Sequence, residues 1–442
     1  MTPYALALSV IRSLKGYGHE AYLVGGCVRD LFLGRTPSDY DIATEARPSQ
    51  IQSYFPKSLA IGEEFGVTLV REGEIGVEVT TFRRDREYYD GRRPSGVDFT
   101  DIAKQDAIRR DFTINAIFFD PIEHRYFDYV SGRTDLQGGL IRAIGNPEQR
   151  FIDDKLRMLR AVRLAARLDF SIEVETQRAI ERCATKITEI SVQWIRDELS
   201  AMLTEREPRA AFELLDKVGL LSVVLPEIGK MKGVPQPPEH HPEGDVWQHT
   251  LLLLGHLRAP TATLAWGALL HDVGKPDTIA FGNRIRFNNH VEAGAKIAGS
   301  ILTRLRFPNK QIKHILSLVA NHMRFADVAT MSKSRLKQFL QMEQFDEHLE
   351  LHRLDCMASH GKLQNYDFIR GKLSEIPEPE LRPIRLVNGD DLLATGYCPG
   401  PVFREMLEWV EVEQSECGVL TKDGLLAKLL DRFPLVEYGK RS

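Results

Sequence analysis

The hydrophobic pattern of the chain changes once, near residue 148, and this change limits the folds that the sequence can adopt. Residues 21–130 contain short β-like apolar runs separated by turns, and Gly73 lies between two of these runs as in a β-hairpin. From residue 148 onwards the apolar residues recur at helical spacing, with a stripe formed by Leu156, Leu159, Val162 and Ala166. The sequence therefore predicts an α+β multidomain protein, with an α/β head that carries a mixed sheet and all-α parts after it.

Two proline-rich segments divide the helical part. Residues 235–244 (PQPPEHHPEG) have the composition of a linker, and residues 374–383 (SEIPEPELRP) precede a short C-terminal unit. We therefore predict a head at 1–140, a helical neck and body at 141–234, an inserted helical domain at 235–373 and a helical tail at 374–442. The N-terminal residues lack a basic leader and a cleavage site, so they predict an amphipathic helix rather than a signal peptide.

Composition restricts the compartment and the partner less sharply. The chain of 442 residues contains no apolar run long enough to span a membrane, so no membrane span is predicted. A formal net charge of −4 weakly disfavours a nucleic-acid partner, although a local basic face is enough for binding, and residues 83–93 and 142–167 are rich in arginine. An odd number of scattered cysteines indicates a reducing cytoplasm: Cys27, Cys183, Cys356, Cys398 and Cys417.

Two acidic residues stand close together after a glycine pair. Asp39 and Asp41 fall within one short segment, SDYDI, and if residues 40–44 form a strand, its alternation directs both side chains to the same face. Two carboxylates about 4 Å apart repel by roughly 4 kcal/mol at an effective dielectric constant near 20. A cation would remove that repulsion, and oxygen ligands with open positions suit Mg²⁺ that arrives with a triphosphate.

The glycines at 25 and 26 follow a predicted strand. Such a pair lets the backbone approach a phosphate, but it also serves steric needs in many strand-to-helix turns. An isolated Asp-x-Asp is more often a solvated turn than a metal site. The proximity of Gly25, Gly26, Arg29 and the two aspartates, all within 17 residues, favours the metal site.

These segments resemble a known catalytic signature. GGCVRD (25–30) and SDYDI (38–42) are similar to the nucleotidyltransferase superfamily, and more narrowly to the class II tRNA nucleotidyltransferases and bacterial poly(A) polymerases. RRDFTINA (109–116) resembles their ribose-recognition motif, and DDKLRMLRAVR (153–163) resembles their nucleobase-reading motif, with Asp153 where the family usually has Glu. The resemblance implies that Asp39 and Asp41 are catalytic ligands of Mg²⁺. It implies nucleotide binding by Gly25, Gly26, Arg29, Arg110, Asp111, Asn115, Asp154, Arg157, Arg160 and Arg163.

The nucleobase-reading motif also suggests how a base is chosen. Asp154 and the arginines are spaced by three residues along a helix predicted to begin near residue 153, and we expect the arginines to lack carboxylate partners. A solvated helix face is the alternative interpretation. A carboxylate only accepts and a guanidinium only donates hydrogen bonds. Cytosine and adenine present a donor beside an acceptor on the pairing edge, whereas guanine and uracil present the reverse, so Asp154 with Arg157 could accept C and A alone.

Further segments separate related activities. Residues 82–99 resemble the family's flexible loop, which by resemblance is needed for A incorporation and disfavours a CC-adding enzyme. The acidic pair in GEEFGV (62–67) stands where poly(A) polymerases typically carry basic residues. We therefore predict template-independent addition of CCA to the 3′ end of tRNA from CTP and ATP. An A-adding enzyme that works with a CC-adding partner remains open.

The inserted domain contains a second set of candidate metal ligands. ALLHDVGKP (268–276) resembles the signature of HD phosphohydrolases, and imidazole with carboxylate suits a transition metal. The predicted primary ligands are His249, His271, Asp272 and Asp355, with His290 and His322 available for a second ion. His240 and His241 are assigned to the linker. An HD phosphohydrolase with an RNA-binding head is therefore an alternative function, and the tail segment 389–401 resembles a C-terminal motif of the same proteins or simply caps helices.

Overall fold

The structure is a computed structural model, and it describes residues 1–88, 91–92, 94–239, 241–376, 386–416 and 421–435. The chain divides into two units, one formed by residues 1–320 with 354–361 and the other by residues 321–353 with 362–442. Cys417, His240 and most of the second proline-rich segment lie outside the described residues. The domain boundaries at 140, 234 and 373 stay predictions.

The head is built on a mixed sheet, as predicted. The strands of the described residues are β1 (Ala21–Val24), β2 (Asp41–Thr44), β3 (Leu59–Gly62), β4 (Val67–Glu72), β5 (Ile75–Thr81), β6 (Arg83–Asp85), β7 (Val97–Phe99), β8 (Ile117–Asp120), β9 (Arg125–Asp128), β10 (Leu140–Ile141), β11 (Ser171–Ile172), β12 (Ile279–Ala280) and β13 (Arg286–Phe287). Seven of them form one sheet in the order β3-β4-β5-β2-β1-β8-β9. Strands β2 and β5 pair in parallel, whereas β1 pairs antiparallel with both β2 and β8.

Outside these strands the described chain is mainly helical. Its α-helices are α1 (Pro3–Gly16), α2 (Gly26–Phe32), α3 (Pro48–Tyr54), α4 (Ala103–Arg109), α5 (Gly132–Gln137), α6 (Pro147–Asp153), α7 (Leu156–Leu168), α8 (Val174–Cys183), α9 (Val192–Thr204), α10 (Pro208–Lys217), α11 (Leu221–Val224), α12 (Pro226–Gly229), α13 (Val246–His256), α14 (Ala262–Leu270), α15 (His290–Arg304), α16 (Asn309–Asn321), α17 (Lys333–Leu340), α18 (Phe345–Ala358), α19 (Gln364–Glu375), α20 (Gly389–Thr395), α21 (Pro401–Glu416) and α22 (Lys422–Arg432). Within the described ranges, no helix is long and apolar enough to cross a membrane.

Two local predictions in the head are confirmed. The N-terminal segment forms α1, whose first turn is capped by the Thr2 hydroxyl and whose apolar face is buried. The hairpin at Gly73 joins β4 to β5, and Gly73 has a φ of +63°, a conformation that glycine adopts without a steric penalty. The segment predicted as a flexible loop, 82–99, contains two short strands that pair antiparallel, β6 near its start and β7 at its end.

Aromatic side chains fill the space beneath the centre of the sheet. Phe82 and Phe118 are fully buried with ring centroids 6.1 Å apart, and Tyr22 of β1 packs against both rings. Burial of side chains of this size stabilises the fold by about 1.5–3 kcal/mol each. The packing fixes the end of β5 relative to β1 and β8. Strand β2, which begins with the candidate catalytic residue Asp41, lies between β5 and β1.

The helical stripe of the neck is confirmed, but the predicted start of its helix is wrong. The four apolar residues of the stripe are buried on α7. Helix α6 ends at Asp153, Asp154 is extended with φ of −134° and ψ of 100°, and α7 begins only at Leu156. The Lys155 N–H donates a hydrogen bond of 2.9 Å to the Gly91 carbonyl. A contact with a residue distant in sequence therefore stabilises a break that helical periodicity does not indicate.

The second unit contains two hydrophobic clusters. One includes Phe325, Phe339 and Phe345, and the other includes Tyr397, Leu425 and Leu429. In the tail segment, Asn388 caps α20, and the helix ends at a glycine, Gly396, with a φ of +107°. Helix capping therefore accounts for part of the predicted tail motif.

Candidate active site

The glycine pair brings the backbone close to the predicted catalytic carboxylate. Gly25 follows β1 with a φ of +79°, and α2 begins at Gly26. A Cβ atom at position 25 would lie 3.4 Å from Asp41 Oδ2 and 3.8 Å from an Arg110 nitrogen, Nη1. These distances are ordinary contacts, but a φ of +79° is strained for any residue with a side chain, so the turn favours glycine.

Asp41 is the first residue of β2 and has carboxylates on both sides. It pairs with Val24 of β1 and, in parallel register, with Glu78 of β5. Burial, followed by the charges of Asp39 and Glu78, raises the pKa of Asp41 to about 6. Asp39 is exposed and lies just before the strand, which begins one residue later than predicted. Three acidic groups with oxygen donors fit a hard divalent cation such as Mg²⁺.

Glu78 was missed by the sequence analysis. Its position on the exposed face of β5, between the buried Val77 and Val79, follows from strand alternation. The pairing of β5 with β2 is a long-range contact, and the sequence pattern does not show which strands are neighbours. Glu78 could therefore have been recognised as a polar-face residue, but not as a neighbour of Asp41.

Three predicted nucleotide-binding residues form one hydrogen-bonded chain, and a fourth extends it by an ion pair. Arg29 donates to Asn115 Oδ1 at 2.9 Å, and the Asn115 amide lies 3.3 Å from Asp111 Oδ1. Arg160 pairs with Asp111 Oδ2 at 2.7 Å. Although burial acts to raise it, Arg160 and Arg157 hold the pKa of Asp111 below its usual value. The ribose-recognition motif is thereby joined to both α2 and α7.

Arg110 is held beside Asp41 by a buried carboxylate. Asp106 accepts hydrogen bonds from Arg110 at 2.8 and 3.1 Å and from Arg109 at 2.8 Å. Burial acts to raise the pKa of Asp106, but the two guanidinium groups hold it below its usual value. Asp106 belongs to α4, so the orientation of Arg110 depends on the packing of that helix against the sheet.

The predicted base-reading pair is buried in the neck. Arg157 Nε lies 3.7 Å from Asp154 Oδ2, and burial raises the pKa of Asp154 above its usual value although Arg157 and Arg160 act to lower it. Arg157 Nη2 is 3.5 Å from the Tyr88 hydroxyl, which donates to Asp85 Oδ2 at 2.7 Å. Sequence analysis missed Tyr88 and Asp85 as partners. Both residues also line a cavity of about 690 Å³ beside the β6–β7 hairpin.

The expectation that the arginines of α7 lack carboxylate partners is wrong for two of them. Arg160 pairs with Asp111, as described above. Arg163 lies 2.7 Å from Glu198 and 2.8 Å from Glu205. These carboxylates come from α9 and from the residue after it, so helical spacing within α7 could not reveal them. Arg163 is thus engaged with the neck, and its role in nucleotide binding stays a prediction.

A second cluster lies in the helical domain of the first unit. His249 belongs to α13, His271 and Asp272 directly follow α14, and Asp355 belongs to α18. His249 Nε2 is 3.3 Å from His271 Nε2 and 3.1 Å from Asp355 Oδ1. His271 Nε2 is also 3.2 Å from Asp272 Oδ2. The four residues predicted as primary metal ligands are therefore brought together.

The hydrogen bonds of the two imidazoles indicate a cation between them. His271 Nδ1 is 2.8 Å from the Ala268 carbonyl, and His249 Nδ1 is 2.7 Å from Glu243 Oε1. Because both partners only accept, each Nδ1 carries the proton, and in neutral imidazoles the two Nε2 lone pairs face each other. Burial acts to lower the pKa of His249, but Asp355 and Glu243 raise it to about 9. Such a site is stabilised by a proton or by a transition metal ion.

The two predicted ligands of a second ion, His290 and His322, belong to different units. His290 Nε2 lies 3.9 Å from Asp272 Oδ1, whereas His322 belongs to the second unit, where it is buried. The assignment of residues 235–244 to a linker missed three residues that reach the cluster. Gln236 accepts from Lys275 at 2.7 Å, Lys275 pairs with Asp272 at 2.6 Å, and Glu243 contacts both His241 and His249.

Family comparisons agree with the order of these regions. Residues 21–142 match the family described as "Poly A polymerase head domain", residues 169–231 match "Probable RNA and SrmB- binding site of polymerase A", and residues 245–357 match "HD domain". These matches confirm the resemblance and the predicted fold class.

Individual relatives are consistent with this assignment. A CCA-adding enzyme of Geobacillus thermodenitrificans is 42% identical over 229 residues, which is 52% of this chain and 56% of that protein. The CCA-adding enzyme of Bacillus subtilis is 31% identical over 411 residues, which is 92% of either chain. A crystal structure of the Bacillus stearothermophilus CCA-adding enzyme in complex with CTP is 27% identical, covers 99% of both chains and gives a TM-score of 0.68. The chain therefore belongs to the family of CCA-adding enzymes.

Proposed function

We propose that this chain is a tRNA nucleotidyltransferase that adds C, C and A to the 3′ end of tRNA from CTP and ATP without a template. This proposal rests on the position of Asp41, which lies beside the Gly25 turn and close to Asp39 and Glu78. In each addition the 3′ hydroxyl of the RNA forms a bond to the α-phosphorus of the nucleotide, and pyrophosphate leaves. The names and alignments of the relatives support this reaction.

The residues of the head have distinct roles in this proposal. Asp39 and Asp41 hold Mg²⁺, and Glu78 adds negative charge beside them. When bound, Mg²⁺ favours ionisation of the attacking hydroxyl and neutralises charge on the triphosphate. The Gly25–Gly26 turn leaves room for the triphosphate, Arg110 offers it positive charge, and the chain from Arg29 to Asp111 orients the ribose.

Base choice rests on Asp154 and Arg157. The carboxylate accepts from the exocyclic amino group of C or A, and the guanidinium donates to the adjacent ring nitrogen. Guanine and uracil present the opposite order, and each unsatisfied buried group costs about 1–3 kcal/mol. The contact between Tyr88 and Arg157 supports this assignment, because it restricts the directions in which the guanidinium can point.

Related activities are less well supported. An A-adding enzyme would share these motifs, but the relatives aligned over most of the chain carry the name of CCA-adding enzymes. We further propose action in the cytoplasm, where cysteines stay reduced. The described cysteines Cys27, Cys183, Cys356 and Cys398 form no disulfide with one another, which agrees with that compartment.

The second cluster supports a second function. The facing Nε2 atoms of His249 and His271, with Asp272 and Asp355 beside them, favour binding of a transition metal. Such an ion would supply an activated water for phosphoester hydrolysis. We propose that this site removes a phosphate or opens a 2′,3′-cyclic phosphate at a damaged RNA 3′ end. Water adds to phosphorus, the bond from phosphorus to the ribose 3′ oxygen breaks, and that oxygen takes a proton. The head then has a free 3′ hydroxyl to extend.

The reaction itself can be tested with tRNA transcripts that lack the terminal trinucleotide, that end in CC, or that carry the complete CCA end. We expect CTP alone to add two residues to the first transcript and ATP alone to add one residue to the second. Together the two nucleotides should complete the first, and the third should stay unchanged. Extension of the CC-ending transcript only, resolved on a sequencing gel, would identify an A-adding enzyme instead.

Replacement of Asp41 by Asn should abolish nucleotide addition and stabilise the metal-free protein at pH 8. The folded pKa of about 6 lies above the ordinary 3.8, so the contribution of Asp41 to stability is complete below pH 4. It is lost as the pH rises through 6, by at most about 3 kcal/mol. Thermal unfolding in EDTA at pH 4 and pH 8 measures this difference.

Asp98→Asn is the matched control for that measurement. Arg86 lowers the pKa of Asp98, so this substitution should not stabilise the protein at pH 8. An Asp41→Asn protein that unfolds at the wild-type temperature or below at pH 8, in the absence of metal, would contradict the proposed crowding of carboxylates.

Asp154→Ala should weaken base discrimination while triphosphate binding persists. The ratio of kcat/KM for CTP over UTP should fall by about 10-fold or more, because about 1–3 kcal/mol of mismatched hydrogen bonding is removed. Asp153→Asn, at the neighbouring carboxylate on α6, serves as control and should keep the wild-type ratio. An unchanged ratio with a collapsed rate for Asp154→Ala would exclude base reading by this residue.

The double variant His271→Ala with Asp272→Ala should lose bound transition metal and metal-dependent hydrolysis. It should still extend tRNA that has a free 3′ hydroxyl, because the head residues are unchanged. Elemental analysis and hydrolysis of a 2′,3′-cyclic phosphate in Mn²⁺, Co²⁺, Ni²⁺ and Mg²⁺ give the measurement. Wild-type protein without metal or hydrolysis under all four conditions would rule out the second function.

A further inference from the structure

We propose that Glu243 is a positioning residue that fixes the His249 imidazole with its proton on Nδ1 and its Nε2 lone pair directed at the second cluster. The inference rests on the metal site proposed above and extends it to a residue outside the HD signature. Glu243 lies in the proline-rich segment that resembles a linker in sequence.

The contacts of Glu243 are short and buried. Its Oε1 atom lies 2.7 Å from His249 Nδ1 and 2.9 Å from His241 Nδ1. The His249 side chain is fully buried and that of Glu243 is 6% exposed. An ionised carboxylate has no proton to give, so His249 must donate through Nδ1. In the neutral imidazole the other nitrogen, Nε2, then carries the lone pair, which is the form that binds a metal ion.

The segment around Glu243 is anchored at the start of α13. Asp245 caps this helix by accepting from the Gln248 N–H at 2.8 Å, and it also accepts from the Gly233 N–H at 2.6 Å. The Val246 N–H bonds to the Val234 carbonyl at 3.0 Å. These bonds close the proline-rich segment into a loop with its ends together. The loop therefore holds Glu243 beside His249 in a defined position.

The same segment also reaches a second proposed ligand. Gln236 is buried and accepts from Lys275, which pairs with Asp272. Two of the proposed metal ligands, His249 and Asp272, are thus oriented by residues of one loop. Hydrogen bonds of this kind around a metal site fix ligand geometry and raise ligand basicity, and their removal typically weakens metal binding by about 10–100-fold.

A separate ion bound by His241, Glu243 and His249 is the competing interpretation. Ligand atoms of these residues lie within 4.8 Å of one another. For His249 to bind such an ion through Nδ1 while Nε2 serves the main cluster, its ring must lose both protons. An imidazolate is a much stronger requirement than one hydrogen bond to a carboxylate, so the geometry favours the positioning role.

The test compares metal binding by the full chain and by four variants. Glu243→Gln should bind Co²⁺ and Mn²⁺ with a Kd about 10–100-fold higher than wild type, because the amide can present a donor to Nδ1. Glu243→Asp keeps a carboxylate acceptor and should recover part of this loss. Glu239→Gln, at an exposed position of the same segment, should bind as wild type. Kd is measured by competition with a chromophoric chelator, and the number of ions by elemental analysis.

Each result separates this inference from the metal site on which it rests. Nucleotide addition to tRNA reports that each variant is folded, since the head does not use Glu243. A wild-type Kd for Glu243→Gln would overturn the inference and leave the metal site standing. Loss of one bound ion in both Glu243→Gln and His241→Ala would establish the separate ion instead. A wild-type chain that binds neither metal would overturn the metal site and the inference together.

Discussion

The Asp41 carboxylate is held in a position where its ionised form is disfavoured, and the architecture of the head depends on that constraint. Its pKa rises to about 6 because burial and two further acidic residues oppose ionisation. Such a group stays in place only if the surrounding fold is rigid. The rigidity comes from three strands: β1 and β5 flank β2, and the aromatic cluster around Phe82 fixes them from below. A divalent cation would then bind carboxylates that folding has already brought together in spite of their mutual repulsion.

Positive charge around this site is controlled by buried carboxylates. Asp106 holds Arg110, and Asp111 holds Arg160. Each carboxylate keeps a pKa below its usual value in spite of burial, so it remains ionised. An arginine in a buried pair loses the rotamer freedom that a surface arginine retains. The guanidinium groups are therefore oriented before any nucleotide arrives, which reduces the conformational entropy lost on binding.

Sequence reasoning was accurate where the pattern is local and failed where long-range contacts decide. A glycine between two β-like runs predicted the hairpin at Gly73, and helical spacing predicted the buried face of α7. The same spacing placed Asp154 on a helix. In the structure Asp154 lies between α6 and α7, and the hydrogen bond from the Lys155 N–H to the Gly91 carbonyl stabilises this break. Glu198 and Glu205, which pair with Arg163, come from a distant segment, and so does Glu78.

The proline-rich segment shows why composition misled. Its prolines and charges are typical of a linker, and nothing local shows that Gln236 and Glu243 turn towards His249 and Asp272. Only the hydrogen bonds at both ends of the segment, made by Asp245 and Val246, close it against α13. The motif at 268–276, by contrast, singled out His271 and Asp272, and the structure brings both together with His249 and Asp355. Their binding of a metal ion stays a prediction.

The two sites of the first unit differ in the type of atom that they offer a metal. The head presents carboxylate oxygens alone, which suit a hard ion that keeps several waters and comes with a triphosphate. The second cluster presents two imidazole nitrogens beside Asp272 and Asp355, which suit a first-row transition ion. Because nitrogen-containing sites bind such ions far more tightly than Mg²⁺, trace amounts would fill the cluster while abundant Mg²⁺ would serve the head. Ligand type would thus keep the two proposed metal-dependent reactions independent of each other.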